Sequence, residues 1–373
     1  MTGIEMVDLK NQYAKIKTNI DTAIHHVLDS TAFVKGPATI NFENRLSEFQ
    51  SCKHIISCGN GTDALQIAMM ALGLQPGDEV ITPTFTYIAT VEVVALLGLR
   101  PVFVDVDIDT FTMNIDKLQA AITPNTKCIV PVHLYGMCAN MEAILEIANK
   151  HTIPVVEDNA QSIGSEVTFA NGTKKKSGTM GACGTFSFYP TKNLGCYGDG
   201  GALCTDDDEL AQTLKMICNH GQKTTYFFDI VGVNSRLDSI QAAILNEKIN
   251  VLDTYTLARQ KAAARYSALF ENHPQIITPT IAAYSTHVFH QYTIRVKNRN
   301  ELQLHLKSNG IPSMIYYPKP AHLQKAYLGY NYKVGDFPIS EQLCNEVISL
   351  PMHTELTEIQ QEYIAEKVID FCK

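Results

Sequence analysis

Apolar residues follow two different spacings along this chain, and each spacing predicts one kind of element. Short apolar runs typical of buried strands lie at 79–82, 101–105, 127–132, 154–157, 185–188 and 202–205. Apolar residues at helical spacing lie between them, at 62–72, 88–97, 116–121 and 141–150. Strands that are apolar on both faces and alternate with helices predict an α/β fold, a three-layer sandwich with helices on both faces of a mostly parallel sheet.

The pattern changes after about residue 236. A long helical pattern from about 239 to 270 leads to a predicted strand at 291–296 and to predicted helices at 301–308 and 341–347. A chain of 373 residues is long for one compact core. We therefore predict a large α/β domain at 1–245 and a smaller α+β domain at 246–373.

Composition and charge narrow the class of protein. Hydrophobic residues make up 45% of the chain and charged residues 18%, as in an ordinary globular enzyme with a large core. The net charge is −8, and the longest basic run is the lysine triplet 174–176, which we interpret as a solvated hairpin tip. A nucleic-acid partner is not expected, because phosphate neutralisation needs a basic face.

The cysteines and the apolar stretches indicate a reduced, cytoplasmic location. The ten cysteines include no CxxC pair, and their spacings fit no metal template. The first ten residues lack the apolar core of a signal peptide, and the longest apolar stretch, 91–99, is too short to span a membrane. We therefore expect neither a metal nor a membrane partner.

Two residues, Asp158 and Lys192, carry candidate cofactor chemistry. Asp158 ends the predicted strand 154–157, and Lys192 lies in a short break before the glycine-rich run 195–201. A carboxylate that keeps a pyridine nitrogen protonated and an amine that forms a Schiff base are the minimum protein chemistry of pyridoxal phosphate. An aspartate and a lysine at strand ends are also common structural features. The choice between a cofactor role and a structural role therefore depends on the neighbouring residues.

Several neighbours of this pair have a cofactor interpretation and a structural one. Thr62 or Asp63 opens a predicted helix after a glycine-flanked turn, which indicates either a phosphate site or a simple N-cap. Ser187 is a second candidate for the phosphate. Gln161 is placed to meet a ring hydroxyl or to cap a helix, and Tyr87 to stack on the ring or to lie at the edge of the core.

The chain resembles the DegT/DnrJ/EryC1/StrS sugar aminotransferases, which are fold-type I pyridoxal-phosphate enzymes with an aspartate-aminotransferase-like fold. The matching segments are GNGTDAL (59–65), PTFTYIAT (83–90), PVHLYG (131–136), VEDNAQSIG (156–164), SFYPTKNLGCYGDGGA (187–202), GVNSRLDSIQAAIL (232–245) and SLPMH (349–353). The resemblance implies that Lys192 forms the Schiff base and that Asp158 pairs with the pyridine nitrogen. It also implies cofactor contacts from Gly61, Thr62, Asp63 and Ser187 to the phosphate, Gln161 to the ring hydroxyl and Tyr87 to the ring face.

The same resemblance implies a homodimer with shared active sites. Asn234 is expected to reach the cofactor phosphate of the neighbouring subunit. Arg236, Tyr317 and His322 are expected near the nucleotide sugar, although Arg236 has a structural alternative, the pairing with a carboxylate such as Asp238.

The activity implied is the transfer of an amino group from L-glutamate, through pyridoxamine phosphate, to a keto carbon of a nucleotide-linked hexose. C3 is favoured over C4, and both UDP-2-acetamido-3-oxo-glucuronate and a dTDP-3-oxo-6-deoxyhexose remain open as substrates. Products of this kind enter polysaccharide assembly, including that of lipopolysaccharide O-antigen. Two alternatives are kept: a pyridoxal-phosphate sugar dehydratase, whose family members carry His in place of Lys192, and a non-catalytic regulatory relative.

Overall fold

The computed structural model describes residues 3–373. The helices are α1 (Leu9–Ser30), α2 (Pro37–Gln50), α3 (Gly61–Ala71), α4 (Ala89–Leu96), α5 (Ile115–Ala121), α6 (Met141–His151), α7 (Asp208–Ile217), α8 (Ser239–Ile249), α9 (Leu252–Leu269), α10 (Arg299–Ser308), α11 (Pro338–Glu346) and α12 (Glu358–Cys372). The strands are β1 (His54–Cys58), β2 (Glu79–Pro83), β3 (Arg100–Val104), β4 (Thr126–Ile129), β5 (Val156–Asp158), β6 (Glu166–Thr168), β7 (Lys174–Lys176), β8 (Cys183–Ser187), β9 (Gly201–Thr205), β10 (Gln222–Thr224), β11 (Phe227–Phe228), β12 (Tyr292–Arg295) and β13 (Val347–Leu350).

The central sheet has the strand order β3-β2-β4-β5-β8-β9-β1. Two ladders, β3-β2-β4 and β5-β8-β9-β1, are joined by parallel bridges between Ile129 and Val155 and between Val132 and Asp158. In this sheet β9 runs antiparallel to both of its neighbours, whereas the other pairings are parallel. The mostly parallel α/β sheet predicted from the sequence is confirmed.

Alternation along the strands sends side chains to helices on opposite faces of the sheet. Ile56 and Leu203 pack in a buried cluster with residues of α3, α4 and α7. Their neighbours Ile55 and Cys204 pack in a second cluster with residues of α2 and α8. Because both faces are covered, the strands are apolar on both sides, which is why the sequence shows short continuous apolar runs there.

The C-terminal part of the chain has a buried cluster of its own. Residues of α9, α10, α12, β12 and β13 form it, and Ile4 from the N-terminal segment packs against it. The division at 245/246 stays a prediction, and that position lies inside α8.

The predicted helix at 239–270 is wrong in one respect, because the structure has two helices there. α8 ends at Ile249, and Val251 leaves the helical region with a φ of −112° and a ψ of 2° before α9 begins. Most residues of α8 are buried, so its sequence has no polar face. Without that face the apolar pattern does not show where α8 ends and α9 begins. The predicted helix at 341–347 likewise ends at Glu346, and Val347 begins β13.

The lysine triplet lies in the short β6–β7 hairpin, as strand β7 beside the turn at Asn171 and Gly172. No helix within residues 3–373 is both long enough and apolar enough to cross a membrane. The same residues contain no group of His, Cys, Asp and Glu side chains arranged to hold a metal ion, and the ten cysteines are free and buried.

Candidate active site

A cavity of 770 Å³ opens at the carboxyl ends of β5 and β8, where ligands of parallel sheets bind. Most of the predicted site residues line it: Gly61, Thr62, Asp63, Tyr87, Asp158, Gln161, Ser187, Lys192 and Tyr317. Met314 to Tyr317, His290 and Gln291 line it as well. The structure therefore brings together residues that are far apart in the sequence and that the motifs assigned to one site.

Lys192 reaches this cavity from a tight loop after β8. Its backbone N–H donates to the Tyr189 carbonyl at 2.8 Å. Desolvation by the surrounding protein lowers the pKa of Lys192 to about 8, and the charge of Asp158 acts in the opposite direction. A lysine with this pKa carries an appreciable neutral fraction near pH 8, and the neutral amine is the form that attacks a carbonyl carbon and accepts a proton.

The imidazole of His290 lies in the wall of the same cavity. Burial lowers its pKa well below the usual value, and the positive charges of Lys192 and Arg259 lower it further. His290 is therefore neutral at physiological pH, and its buried Nδ1 has no hydrogen-bond partner in the described residues. No motif indicated His290; its neighbour Gln291, on the predicted strand 291–296, was the nearest signal.

Asp158 is held at the end of β5 by two donors. The Thr90 hydroxyl donates to its Oδ2 at 2.7 Å, and the Ala160 N–H donates to its Oδ1 at 3.2 Å. Thr90 is in the first turns of α4 and is buried. Sequence reasoning missed Thr90, although the position lies in the segment 83–90 that carried the family resemblance. A carboxylate with only two donors keeps lone pairs for a further cationic N–H.

The residue before Asp158 anchors this edge of the sheet. Buried Glu157 accepts hydrogen bonds of 2.5 to 2.8 Å from three backbone N–H groups at 178–181 and one from His133 Nε2 at 2.8 Å. His133 Nδ1 accepts the N–H of Ala139, which leaves the ring proton on Nε2, facing Glu157. These contacts hold the backbone that carries Asp158, and sequence reasoning did not find them.

The start of α3 forms the end of the cavity beside Ser187. The helix begins at Gly61, and Asn60 is its N-cap, with Oδ1 accepting the Asp63 N–H at 2.8 Å. A Cβ on Gly61 would lie 2.7 Å from the Ser187 Cβ, so only glycine fits without a shift. The N-cap alternative is met by Asn60, and Gly61 and Thr62 of the first turn line the cavity. A phosphate at this helix start stays a prediction.

Asp63 is engaged within the chain. Its Oδ2 accepts the Ser235 hydroxyl at 2.6 Å, and Ser235 Oγ in turn accepts the Gly59 N–H at 2.8 Å. These contacts fix the turn before α3. A contact between Asp63 and a phosphate stays a prediction.

Gln161 and three tyrosines, Tyr87, Tyr135 and Tyr317, line one cavity with Lys192. Gln161 accepts the Tyr135 N–H at 2.8 Å and donates to the Tyr317 hydroxyl at 3.1 Å. Tyr87 is 56% exposed, and its ring centroid lies 6.0 Å from that of Tyr317. Tyr87 is therefore free to stack on a planar ligand, while Gln161 is held in one orientation by its two partners.

Three predicted residues lie away from the cavity of their own chain. Asn234 is exposed and pairs with Asn219 in an isolated bridge. Arg236 donates to the Asn219 side chain at 3.1 Å and, within residues 3–373, forms no ion pair with Asp238. His322 is fully buried behind Thr84, whose hydroxyl lies 2.8 Å from its Nδ1. Their contacts with a partner's cofactor or with a nucleotide sugar stay predictions.

Comparisons with known proteins bear on the chemistry of this cavity. A sequence model of the DegT/DnrJ/EryC1/StrS aminotransferase family matches residues 14–369. A UDP-2-acetamido-2-deoxy-3-oxo-D-glucuronate aminotransferase of Pseudomonas aeruginosa is 48% identical, over 95% of this chain and 96% of its own. A Geobacillus stearothermophilus protein named pleiotropic regulatory protein is 46% identical, over 99% of this chain and 98% of its own.

Solved structures agree with the sequence comparisons. DesV of S. venezuelae, in complex with a ketimine intermediate, has a TM-score of 0.96 and 38% identity and covers 100% of this chain and 99% of its own. NtdA of Bacillus subtilis, with bound cofactor PMP, has a TM-score of 0.89 and 32% identity and covers 98% of this chain and 83% of its own. The fold type I architecture expected from the sequence is confirmed. The chain belongs to the DegT/DnrJ/EryC1/StrS aminotransferase family.

Proposed function

We propose that this enzyme moves an amino group from L-glutamate to C3 of a UDP- or dTDP-linked 3-oxo hexose. The coarser assignment, a pyridoxal-phosphate-dependent sugar aminotransferase, follows from the family and from the cofactors of its structural neighbours. The observation that carries the proposal is the pair formed by Lys192 and Asp158. One cavity holds a lysine whose pKa is lowered to about 8 and a buried carboxylate with capacity for another donor.

The residues of the cavity fit pyridoxal phosphate. The glycine start of α3 and Ser187 suit its phosphate, Tyr87 its ring face and Asp158 its pyridine nitrogen. When bound, the cofactor supplies a protonated ring that withdraws electrons from the carbon losing a proton. Asp158, oriented by Thr90, stabilises the protonated ring nitrogen by hydrogen bond and charge.

Lys192 has two tasks in this proposal. It binds the cofactor through its Nζ in the resting enzyme, and when an incoming amine displaces it, it becomes the base that moves a proton to and from the substrate carbon. His290 does not compete with Lys192 for this proton, because burial and the nearby positive charges lower the pKa of its imidazole well below the usual value. The partly open cavity of 770 Å³ admits an amino acid and then a larger sugar in turn.

C3 of a UDP-linked sugar is supported by the Pseudomonas relative, whose name specifies a 3-oxo glucuronate. Arg236 bears on this choice, because its guanidinium contacts the Asn219 amide and no carboxylate of the described chain. It is thus available for a uronate carboxylate. A dTDP-3-oxo-6-deoxyhexose remains the second substrate proposed, and in either case the amino sugar would serve polysaccharide assembly, such as that of O-antigen, in the cytoplasm.

A homodimer is part of the proposal and is supported by surface apolarity. The β10–β11 hairpin and the residues after it expose Tyr226, Phe227, Phe228 and Val231 by 60% to 85%. An apolar patch of this kind on a folded chain is typical of a protein interface. The hairpin precedes Asn234, which points away from its own cavity, as expected of a residue that serves a partner's site.

The name of the Geobacillus relative keeps a regulatory function as a second candidate. The absorbance spectrum of the purified protein distinguishes the two functions. We expect a visible band from cofactor bound to Lys192, which L-glutamate moves to the ultraviolet. Lys192→Ala should lose that band and all turnover while it keeps the far-UV circular dichroism of the wild type. Lys127→Ala is a suitable control, because Lys127 is an exposed lysine whose Nζ contacts only the Pro124 carbonyl.

The glutamate-treated protein is then offered UDP-2-acetamido-3-oxo-glucuronate and a dTDP-3-oxo-6-deoxyhexose, with mass spectrometry to detect the amino sugar. Return of the visible band with one of them identifies the substrate. A keto-deoxy product would indicate the dehydratase. No band after addition of pyridoxal phosphate would contradict the proposal and favour the regulatory function.

A further inference from the structure

Lys248 is a buried lysine that the proposed reaction does not use. It lies on α8 with 3% of its surface exposed, and its Nζ donates to the Gly195 carbonyl at 2.6 Å. The same Nζ lies 4.3 Å from the centroid of the Tyr197 ring. Within residues 3–373 no carboxylate forms an ion pair with it at 4.0 Å or less. A buried cation without a carboxylate is costly, so an apolar side chain would serve a purely structural site better.

The carbonyl that Lys248 binds belongs to the loop that carries Lys192. This loop closes where the Cys196 N–H donates to the Phe188 carbonyl at 2.8 Å. It folds back so tightly that a Cβ on Gly195 would lie 2.5 Å from the Pro190 carbonyl oxygen. A shift of Gly195 is therefore transmitted through the loop to Lys192.

A second residue of α8 holds the same segment. Gln241 Oε1 accepts the Tyr197 N–H at 2.8 Å. Gln241 and Lys248 are seven residues apart, so they lie on one face of the helix, two turns from each other. Leu194 and Cys196 pack in the buried cluster that includes Ala242 and Leu245 of the same helix. Helix α8 thus supports the loop by packing and by two polar contacts. The contact of Lys248 is with Gly195, which is closer to Lys192 along the loop than Tyr197, the residue that Gln241 holds.

We propose that Lys248 is a positioning residue for Lys192, holding the loop at the depth in the cavity wall at which Lys192 is dehydrated. This inference rests on the proposed function only in taking Lys192 as the reacting amine. Without the Lys248 contact the loop loosens, water reaches Lys192, and its pKa rises from about 8 toward the ordinary value of 10.5. The effect is not one of direct charge, because desolvation and Asp158 are the causes of the Lys192 shift.

The groups that face Lys248 from the loop are uncharged at neutral pH. Burial raises the pKa of the Cys196 thiol to about 11 and that of the Tyr197 phenol to about 12. Desolvation lowers the pKa of Lys248 itself to about 8. At pH 7 the ammonium therefore donates to Gly195 in its charged form, which gives a stronger hydrogen bond than a neutral donor.

The experiment compares Lys248→Met with the wild type in two measurements. The first is the pKa of Lys192 in cofactor-free protein, from competitive acetic-anhydride labelling across pH with mass spectrometry of each lysine peptide. We expect it to rise by about one unit or more. The second is turnover with L-glutamate as amino donor and one of the two proposed keto sugars as acceptor. We expect kcat to fall about tenfold while KM changes less than twofold, because the loop acts on Lys192 and not on substrate binding.

Lys176→Met is the matched control. Lys176 also donates to a backbone carbonyl, that of Phe49, and lies 4.1 Å from the centroid of the Phe49 ring, but it belongs to the β6–β7 hairpin. It should leave the Lys192 pKa and kcat unchanged. Lys248→Arg, which keeps a charged donor, should recover part of both values.

An unchanged Lys192 pKa in folded Lys248→Met overturns the proposal, whatever the melting temperature. If that variant does not fold, Lys248→Ala is measured instead, because water can enter the space and hydrate the Gly195 carbonyl. An unchanged Lys192 pKa there overturns the proposal equally. The labelling needs neither cofactor nor turnover, so it remains interpretable if the proposed substrates are wrong.

Discussion

The Thr90 hydroxyl donates to Asp158 Oδ2 across 2.7 Å, and this contact joins the first turns of α4 to the end of β5. Both side chains are buried, so the hydrogen bond is not exchanged for one to bulk water. A fixed carboxylate keeps one orientation toward the cavity. Among the residues that sequence reasoning did not assign to the site, Thr90 is thus the one whose removal should affect Asp158 most directly.

We expect Thr90→Val to lower kcat/KM by about 10- to 100-fold with little change in shape, because a hydrogen bond to a charged group contributes about 1.5 to 3 kcal/mol. Steady-state kinetics with L-glutamate as donor and one of the two proposed keto sugars as acceptor measure this effect. Thr213→Val is the control, since the Thr213 hydroxyl also makes a hydrogen bond, to the Glu209 carbonyl at 3.0 Å, and Thr213 does not line the cavity. Wild-type kinetics for Thr90→Val would show that Asp158 needs no orientation by Thr90.

The Gly61–Ser187 contact predicts a loss of cofactor affinity in Gly61→Ala. The added methyl group would lie 2.7 Å from the Ser187 Cβ, so the helix start or the end of β8 must move. We expect the Kd for pyridoxal phosphate, measured by absorbance titration, to rise at least about tenfold, since a phosphate cradle depends on the position of its N–H groups.

Ser187→Gly removes the closest atom but also the Ser187 hydroxyl, so the double variant with Gly61→Ala is compared with Ser187→Gly alone. In that background Gly61→Ala should raise the Kd by less than it does in the wild type. Gly329→Ala serves as the control, since no atom lies within 4 Å of a Cβ at that position. Equal affinity of Gly61→Ala and the wild type would argue against a phosphate at the start of α3.

The lowered pKa of Lys192 also predicts a pH dependence of stability. Between pH 8 and 10.5 the unfolded chain binds a proton at this lysine that the folded chain has released. The unfolded state binds more protons in that window, so Lys192 makes the free energy of unfolding rise with pH there.

Urea denaturation of cofactor-free wild type and Lys192→Met at several pH values from 7 to 10 tests this sign. Buried cysteines and tyrosines with raised pKa values act in the opposite direction, so the difference between the two proteins is the informative quantity. We expect the free energy of unfolding of Lys192→Met, minus that of the wild type, to fall as pH rises. A difference that stays constant across the window would mean that Lys192 titrates normally.

The exposed apolar residues of the β10–β11 hairpin predict an interface between subunits. A charged side chain introduced there should therefore separate the subunits. Phe227→Asp, at a residue that is 69% exposed, should shift the protein from dimer to monomer in analytical ultracentrifugation and should lower turnover. Ile359→Asp on α12 is a matched control, because Ile359 is 67% exposed and lies outside the hairpin. If both variants sediment as the wild type does, the hairpin is not the interface.

The alternation of strands and helices from residue 60 to 205 could be predicted from the sequence. Buried strands give short continuous apolar runs, and amphipathic helices give apolar residues at helical spacing, so both are visible within a few residues. The motif residues Asp158 and Lys192 could be predicted as well, since a carboxylate at a strand end and a lysine before glycines are local features. Strand β1 (His54–Cys58) was not among the predicted strands, although four of its five residues are buried. The break between α8 and α9 was missed because burial on most sides of α8 removes the periodic signal.

Tertiary structure alone decided which side chains support the motif residues. Thr90 and Asp158 are 68 positions apart, Gly195 and Lys248 are 53 apart, and Gln161 and Tyr317 are 156 apart. Such pairs depend on strand order and on helix crossings, and no local spacing encodes them. The sequence by itself determined the class of fold and the family and indicated Lys192 as the candidate Schiff-base lysine, because short contiguous segments carry each of these signals. The depth at which Lys192 lies and the contacts that hold it come from segments that meet only when the chain has folded.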